Sequence, residues 1–162
     1  MPHGQPSVGV FPTATVYPHR VASSAHILLV DDDPAVRGTV AFVLEGAGYR
    51  VGCAEDGEAG WHALCADPSD LLITDYEMPK LTGLELLRRV RAVSSRLPAI
   101  LISGSPPRGE ADLESLLQPG AIVPKPFSVG ALLAKVQELL HESLAGSSAD
   151  PREDWSLASR QT

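Results

Sequence analysis

Charged and hydroxyl side chains stand at the ends of several short apolar runs in this sequence. Asp31 and Asp32 follow the run HILLV, and Asp75 ends the run LLITD. Ser103 ends AILIS, and Lys125 follows AIVP. The carboxyl ends of the strands in an open parallel sheet share one edge, so we expect these side chains to converge there. Three crowded carboxylates repel one another, and a hard divalent cation with oxygen ligands relieves that repulsion.

The elements that must position these side chains alternate between apolar runs and segments of helical periodicity. Alternation of this kind predicts a parallel sheet covered by helices on both faces, with right-handed crossovers. The fold class is therefore α/β. The predicted strands are 26–30, 50–54, 70–74, 98–102 and 121–123, and the predicted helices are 34–47, 58–66, 83–95, 110–117 and one that starts at 128.

Two of the helix starts carry a side-chain acceptor. Asp33 precedes a proline, and Ser128 precedes an apolar stripe, so both residues are predicted N-caps. In the third helix, leucine and valine occupy one face, which predicts that Arg88, Arg89 and Arg91 point towards water.

Composition indicates one folded domain with two polar ends. We expect residues 1–24, which are rich in proline, to be a flexible arm, residues 25–144 to be the domain, and residues 145–162 to be a flexible tail. The net charge of -7 disfavours direct nucleic-acid binding. No apolar run approaches the roughly 20 residues of a membrane span, so no membrane insertion is expected. Cys53 and Cys65 form no CxxC motif, and we interpret them as small core residues of a cytoplasmic protein.

Four motifs resemble the receiver domain of two-component response regulators, over residues 26 to about 142. They are ILLVDDDPAVR, ITDYEMPKLTGLELL, PAILIS and KPF, in that order along the chain. The resemblance implies a flavodoxin-like three-layer sandwich, with a five-stranded parallel sheet of order 2-1-3-4-5 and five helices. Within the family, the chain is similar to single-domain regulators of the chemotaxis type.

The resemblance also implies an Mg²⁺ site. Asp32 matches a direct metal ligand, and Asp31 matches an acid that acts mainly through a water. Asp75 and the backbone carbonyl of Glu77 match the remaining protein ligands.

Further roles concern the phosphoryl group. By resemblance, Asp75 is the phosphoacceptor, Ser103 is the switch hydroxyl and Lys125 is the phosphate-binding lysine. The Lys125–Pro126 bond is cis in the family. A carboxylate that attacks phosphorus forms an acyl phosphate, and the transfer needs mainly positioning and charge neutralisation.

The function implied is that of a phosphoacceptor regulator, supplied by a histidine kinase or phosphotransfer protein. It would signal by binding an unknown downstream protein, without an output domain of its own. It would catalyse at most its own phosphorylation and dephosphorylation, and so is not expected to be an enzyme in the usual sense. An alternative is a binding module of the same fold that phosphate does not switch. Its motivation is Ile122, which stands where the family usually has an aromatic residue. A third reading, a phosphohydrolase with an aspartyl nucleophile, has little support because the sequence offers no second set of pocket residues.

Overall fold

The structure, a computed structural model, describes residues 25–105, 111–146 and 153–156. Within them the strands are β1 (His26–Val30), β2 (Arg50–Ala54), β3 (Leu71–Asp75), β4 (Ala99–Ser103) and β5 (Gly120–Pro124). The helices are α1 (Pro34–Gly46), α2 (Gly57–Ala66), α3 (Gly83–Val93), α4 (Leu113–Leu117), α5 (Val129–Gly146) and a 3₁₀ turn, η1 (Glu153–Ser156).

The five strands form one parallel sheet of order β2-β1-β3-β4-β5. This order confirms the predicted α/β topology. Strands β1, β3 and β4 are buried along their whole length, as expected for parallel strands that are covered on both faces. In the register, Asp75 lies opposite Ile102 and Ser103 lies opposite Pro124, so neighbouring strands bring both polar residues to one edge.

Two apolar clusters fill the space between the sheet and its helices. One cluster joins the sheet to α1 and α5, and includes Leu44 and Val136. The other joins it to α2, α3 and α4, and includes Leu64 and Leu87. The sheet is therefore the middle of three layers.

Side-chain caps fix where the helices begin. Asp33 accepts hydrogen bonds from the N–H groups of Ala35 and Val36, which confirms the predicted N-cap of α1. Ser128 accepts from the N–H of Ala131 at the start of α5. Thr82 and Glu85 form a capping box at α3. The loops after β1 and β3 are thus held at their far ends.

The third helix differs from its prediction at Arg91. Arg88 and Arg89 are exposed, but the Arg91 guanidinium is half-buried and donates hydrogen bonds to the carbonyls of Ser94, Leu97, Leu116 and Pro119. Burial lowers the pKa of Arg91 to about 10. The prediction was wrong because the C-terminal end of α3 faces α4 and two connecting loops rather than solvent.

The cysteines also differ from expectation. Cys53 is exposed, since β2 is an edge strand of the sheet, and Cys65 is half-buried on α2. The Cys53 side chain belongs to neither apolar cluster, whereas Cys65 packs against the cluster on the α2–α3 face.

Residues 153–156 differ from the flexible tail that the sequence predicts, because they form the 3₁₀ turn η1. Trp155 is only 1% exposed and belongs to the cluster on the α2–α3 face. The rest of the tail from residue 147, and the expected arm at residues 1–24, lie outside the described residues.

Among the described residues, none of the helices combines the length and the apolar character required to cross a bilayer.

Candidate functional site at the carboxyl edge of the sheet

Three carboxylates meet at the carboxyl edge of the sheet. Asp31 and Asp32 follow β1 directly, and Asp75 is the last residue of the neighbouring strand β3. Each offers a carboxylate oxygen within 4.8 Å of the others. Asp31 and Asp75 are buried, whereas Asp32 is exposed. The cluster is therefore rooted in the sheet and open to solvent on one side.

A lysine from β5's far end completes this cluster. Lys125 Nζ donates a hydrogen bond of 2.7 Å to Asp75 Oδ2. The backbone N–H of Lys125 donates to the Ser103 carbonyl at 2.8 Å, which links the lysine to the end of β4. The Lys125–Pro126 peptide bond is cis. The structure thus brings Lys125 to the acids from 50 residues away in sequence.

Ser103 is buried at the end of β4, and its hydroxyl donates to the carbonyl of Ser105. Glu77 lies in the loop after β3 and lines an open cleft together with Asp32 and Thr82. Ile122 is 37% exposed on β5. Each of these residues therefore lies on the strand or loop where the sequence predicted it.

Gly83 determines how closely the loop after β3 folds over the site. A Cβ on this residue would lie 2.0 Å from the Asp75 carbonyl oxygen, far inside contact distance. Its N–H donates to the Tyr76 carbonyl at 3.0 Å and closes the loop. Only glycine permits this approach, so residue 83 helps to define the position of Asp75.

The pKa values of Asp31 and Lys125 are both raised, for different reasons. Burial raises the pKa of Asp31, and the charge of Asp75 adds to that effect, while the Asp33 N–H and Lys125 oppose it. Burial opposes the charge on Lys125, but its hydrogen bond to Asp75 and the nearby acids outweigh burial and raise its pKa. The site therefore carries an excess of negative charge that one lysine only partly offsets.

The donor set fits a hard divalent cation. Asp31 Oδ1 accepts the Asp33 N–H, but Asp31 Oδ2 is buried and has no hydrogen-bond partner among the described residues. A buried carboxylate oxygen without a partner is costly, and a cation would satisfy it. Oxygen-only ligands, with one side open to water, suit Mg²⁺ in particular.

Two contacts that support the site were not predicted. Arg37 Nη1 donates to the Asp31 carbonyl at 2.7 Å from the first turns of α1. Lys80, which has a positive φ of 66°, forms an ion pair with Asp56, the N-cap of α2. A single arginine or lysine in sequence does not reveal its partner, because both contacts depend on how loops pack.

Comparisons with known proteins agree with this geometry. The family model of the response regulator receiver domain matches residues 27–137. The response regulator MprA of Mycobacterium tuberculosis is 35% identical over 129 residues, which are 78% of this chain and 55% of that protein. The chain thus spans about half the length of the curated relatives it matches.

Solved structures agree as well. A CheY-like receiver domain protein from Methanospirillum hungatei is 27% identical with a TM-score of 0.72, and the match covers 77% of this chain and 100% of that one. The response regulator protein TrrA from Thermotoga maritima, solved in complex with Mg²⁺-BeF, is 30% identical with a TM-score of 0.64, covering 71% of this chain and 98% of that one. From its fold, its cluster of acids and these similarities, the chain belongs to the response regulator receiver domain family of two-component signalling.

Proposed function

We propose that this chain is a phosphoacceptor switch, phosphorylated on Asp75 by a histidine kinase or a phosphotransfer protein. One observation carries the proposal: the buried Asp75 carboxylate contacts Lys125 and lies within 4.8 Å of two further acids. A buried acid in such surroundings needs a functional reason, because burial of like charges is costly.

The reaction we propose is an in-line displacement. A carboxylate oxygen of Asp75 forms a bond to phosphorus while the phosphorus–nitrogen bond of the donor phosphohistidine breaks, and the leaving imidazole takes up a proton. Lys125, which donates a hydrogen bond to the acceptor carboxylate, would offset the charge of the new phosphoryl oxygens. Ser103, on the adjacent strand, has a hydroxyl that can turn from the Ser105 carbonyl to a phosphoryl oxygen.

Asp31, Asp32, Asp75 and the backbone carbonyl of Glu77 are the residues we propose to hold Mg²⁺. The ion would neutralise charge on the transferred group. Arg37 holds the Asp31 backbone, and the Asp33 N–H holds one of its carboxylate oxygens, so the other oxygen stays available.

Intact-protein mass spectrometry tests the acceptor. Incubation with Mg²⁺ and acetyl phosphate should add the mass of one phosphoryl group to the wild-type chain and none to Asp75→Asn. Asp33→Asn is a matched control, because Asp33 neighbours the site but caps α1 instead of joining the cluster. Failure of the wild type to gain mass, or an equal gain in Asp75→Asn, would refute the proposal.

We further propose that the output is binding of a downstream protein. Ile122, which stands where the family usually has an aromatic residue, supports a second candidate, a binding module that phosphate does not switch. A pull-down with the wild-type chain, with and without Mg²⁺ and beryllofluoride, separates the two. The switch predicts that the set of captured proteins changes with beryllofluoride, whereas the unswitched module predicts the same set in both states.

A further inference from the structure

A second contact region lies far from the acidic cluster, where η1 packs against the α2–α3 face. Ser94 and Arg96 follow the C-terminal end of α3, whereas Asp75 precedes its N-terminal end. Since α3 has 11 residues, it separates the two regions by about 16 Å. We define the distal site as Trp61 of α2 together with Ser94 and Arg96.

The aromatic half of the contact is a pair of tryptophans. The rings of Trp61 and Trp155 have centroids 5.7 Å apart and planes tilted by 53°. This geometry falls in the range that aromatic pairs prefer. Trp155 is among the largest fully buried side chains of the described residues, although it comes from a polar stretch of sequence.

The polar half is provided by the preceding residue. Asp154 accepts a hydrogen bond of 2.7 Å from Arg96 Nη2 and one of 3.0 Å from Ser94 Oγ. Ser94 is fully buried, and the Asp154 side chain is about one quarter exposed. A charged pair next to a buried aromatic anchor is the arrangement found at interface hot spots.

We propose that the distal site is a peptide-recognition site for an acidic segment that contains tryptophan, and that residues 153–156 occupy it as an intramolecular ligand. In this site, the Trp61 ring contacts the tryptophan of the segment. The Arg96 guanidinium and the Ser94 hydroxyl donate hydrogen bonds to the aspartate that precedes it. The segment binds the distal site whether or not Asp75 is phosphorylated.

Covalent connection favours the chain's own segment over a free one. Only the six residues 147–152 join α5 to η1, so the segment's effective concentration at the site is on the order of millimolar. A partner that carries a similar segment would have to exceed this concentration or bind more tightly.

Peptide binding to the full chain tests recognition directly. A fluorescently labelled peptide with the sequence of residues 148–160 should bind Trp155→Ala saturably in fluorescence anisotropy, because that variant removes the aromatic half of the resident segment's contact. Binding to the wild-type chain should be at least tenfold weaker. The matched control peptide has alanine in place of tryptophan and should not bind. Equal binding to both chains, or no saturation at millimolar peptide, would overturn the proposal.

A charge exchange tests the same site without opening a cavity. In the chain labelled with 5-fluorotryptophan, the ¹⁹F resonance of Trp155 is assigned by loss of the Trp61 signal in Trp61→Phe. Asp154→Arg should move the Trp155 resonance to the position of the free peptide, and adding Arg96→Asp should return it. A resonance that stays in place in Asp154→Arg would contradict the assigned role of the ion pair.

Sedimentation distinguishes a segment bound within the chain from one exchanged between copies. The intramolecular ligand predicts a monomer in which the Trp155 resonance does not change with concentration. A dimer that dissociates on adding excess peptide would show that a second copy supplies the segment, and would overturn the intramolecular part of the proposal.

Discussion

At the scale of single residues, the fold holds three carboxylates close together although their charges repel one another. Asp31 contributes a buried carboxylate whose Oδ2 atom has no hydrogen-bond partner in the described part of the chain. Its pKa is raised by burial first and by the neighbouring acid next. Burial of this charged carboxylate beside a second acid therefore costs stability, as is common at functional sites.

Asp31→Asn removes one of the crowded charges while keeping the side-chain shape. We expect the variant to be more stable than the wild type in EDTA by about 1–3 kcal/mol, because like charges at this spacing repel by that order. It should also lose most of the stabilisation that Mg²⁺ gives the wild type. Urea unfolding with and without Mg²⁺ measures both effects.

The matched control is Asp33→Asn, since asparagine caps a helix about as well as aspartate. It should keep both the wild-type stability and the response to Mg²⁺. A response to Mg²⁺ that persists in Asp31→Asn would count against Asp31 as part of the metal site.

Gly83→Ala probes the close approach of the loop to β3. The added Cβ meets the Asp75 carbonyl, which is backbone and cannot rotate away, so we expect a loss of about 3 kcal/mol or more in the free energy of unfolding. Gly130→Ala is the control, since a Cβ there meets nothing within 4 Å and alanine favours α5. In denaturant unfolding, the free energy of unfolding should fall for Gly83→Ala and rise slightly for Gly130→Ala.

Residue chemistry at the strand ends was predictable, and contacts between loops were not. Asp31, Asp32, Asp75 and Lys125 could be placed because each directly follows or ends a strand whose partners share one edge. Arg91 could not be placed, because the carbonyls it binds come from three different segments and carry no sequence signal.

At the scale of elements, apolar periodicity predicted every strand and helix of the sheet layers, with ends shifted by a few residues. The exception is η1. Four residues with one tryptophan have no periodicity, and their polar neighbours indicated a flexible tail. Burial of Trp155 depends on a tertiary contact with α2 that local sequence cannot reveal.

The docking of η1 should depend on pH. The hydrogen bond from Arg96, followed by that from Ser94, lowers the pKa of Asp154 below its usual value. A carboxyl with a lowered pKa in the docked state contributes stability above its free pKa and loses it as the pH falls through its docked pKa. We therefore expect docking to weaken below about pH 4.

Acrylamide quenching of Trp155 in a Trp61→Phe chain measures this release, with far-UV circular dichroism recorded in parallel to monitor the fold. Asp154→Asn should lack the pH-dependent part. Quenching that is unchanged down to the pH at which the fold itself is lost would contradict the prediction.

At the scale of the whole molecule, we expect the net charge of -7 and the cluster of acids to make a divalent cation a stabilising ligand. A ligand that binds only the native state adds about 1.4 kcal/mol for each tenfold rise in concentration above its dissociation constant. For a domain of this size, that corresponds to roughly 3–6 °C in Tm.

Thermal melts in increasing MgCl₂ check this expectation, with NaCl at matched ionic strength as the control. Sodium should raise Tm much less, because it screens charge in general but is not held by the three acids as a divalent cation is. Equal shifts in both salts would argue for screening alone.

The global arrangement was the most predictable level. Alternating strands and helices allow few topologies, and the receiver motifs selected the order 2-1-3-4-5 among them. The second contact region at the opposite end of α3 lies outside what those motifs describe.

The four carbonyls bound by Arg91 have a mechanical consequence for α4. They include the carbonyl of Leu116, in the last turn of that short helix, and the carbonyl of Pro119, in the loop that follows it. An arginine is always charged and presents its donors in a rigid plane, so it holds these groups firmly. The N-terminal end of α4 has no side-chain cap, but Arg88 donates hydrogen bonds of 3.1 Å to both carboxylate oxygens of Asp112, the residue before the helix. Arginines of α3 therefore tie both ends of α4, and because the Arg88–Asp112 pair is exposed, its contacts are the weaker of the two sets.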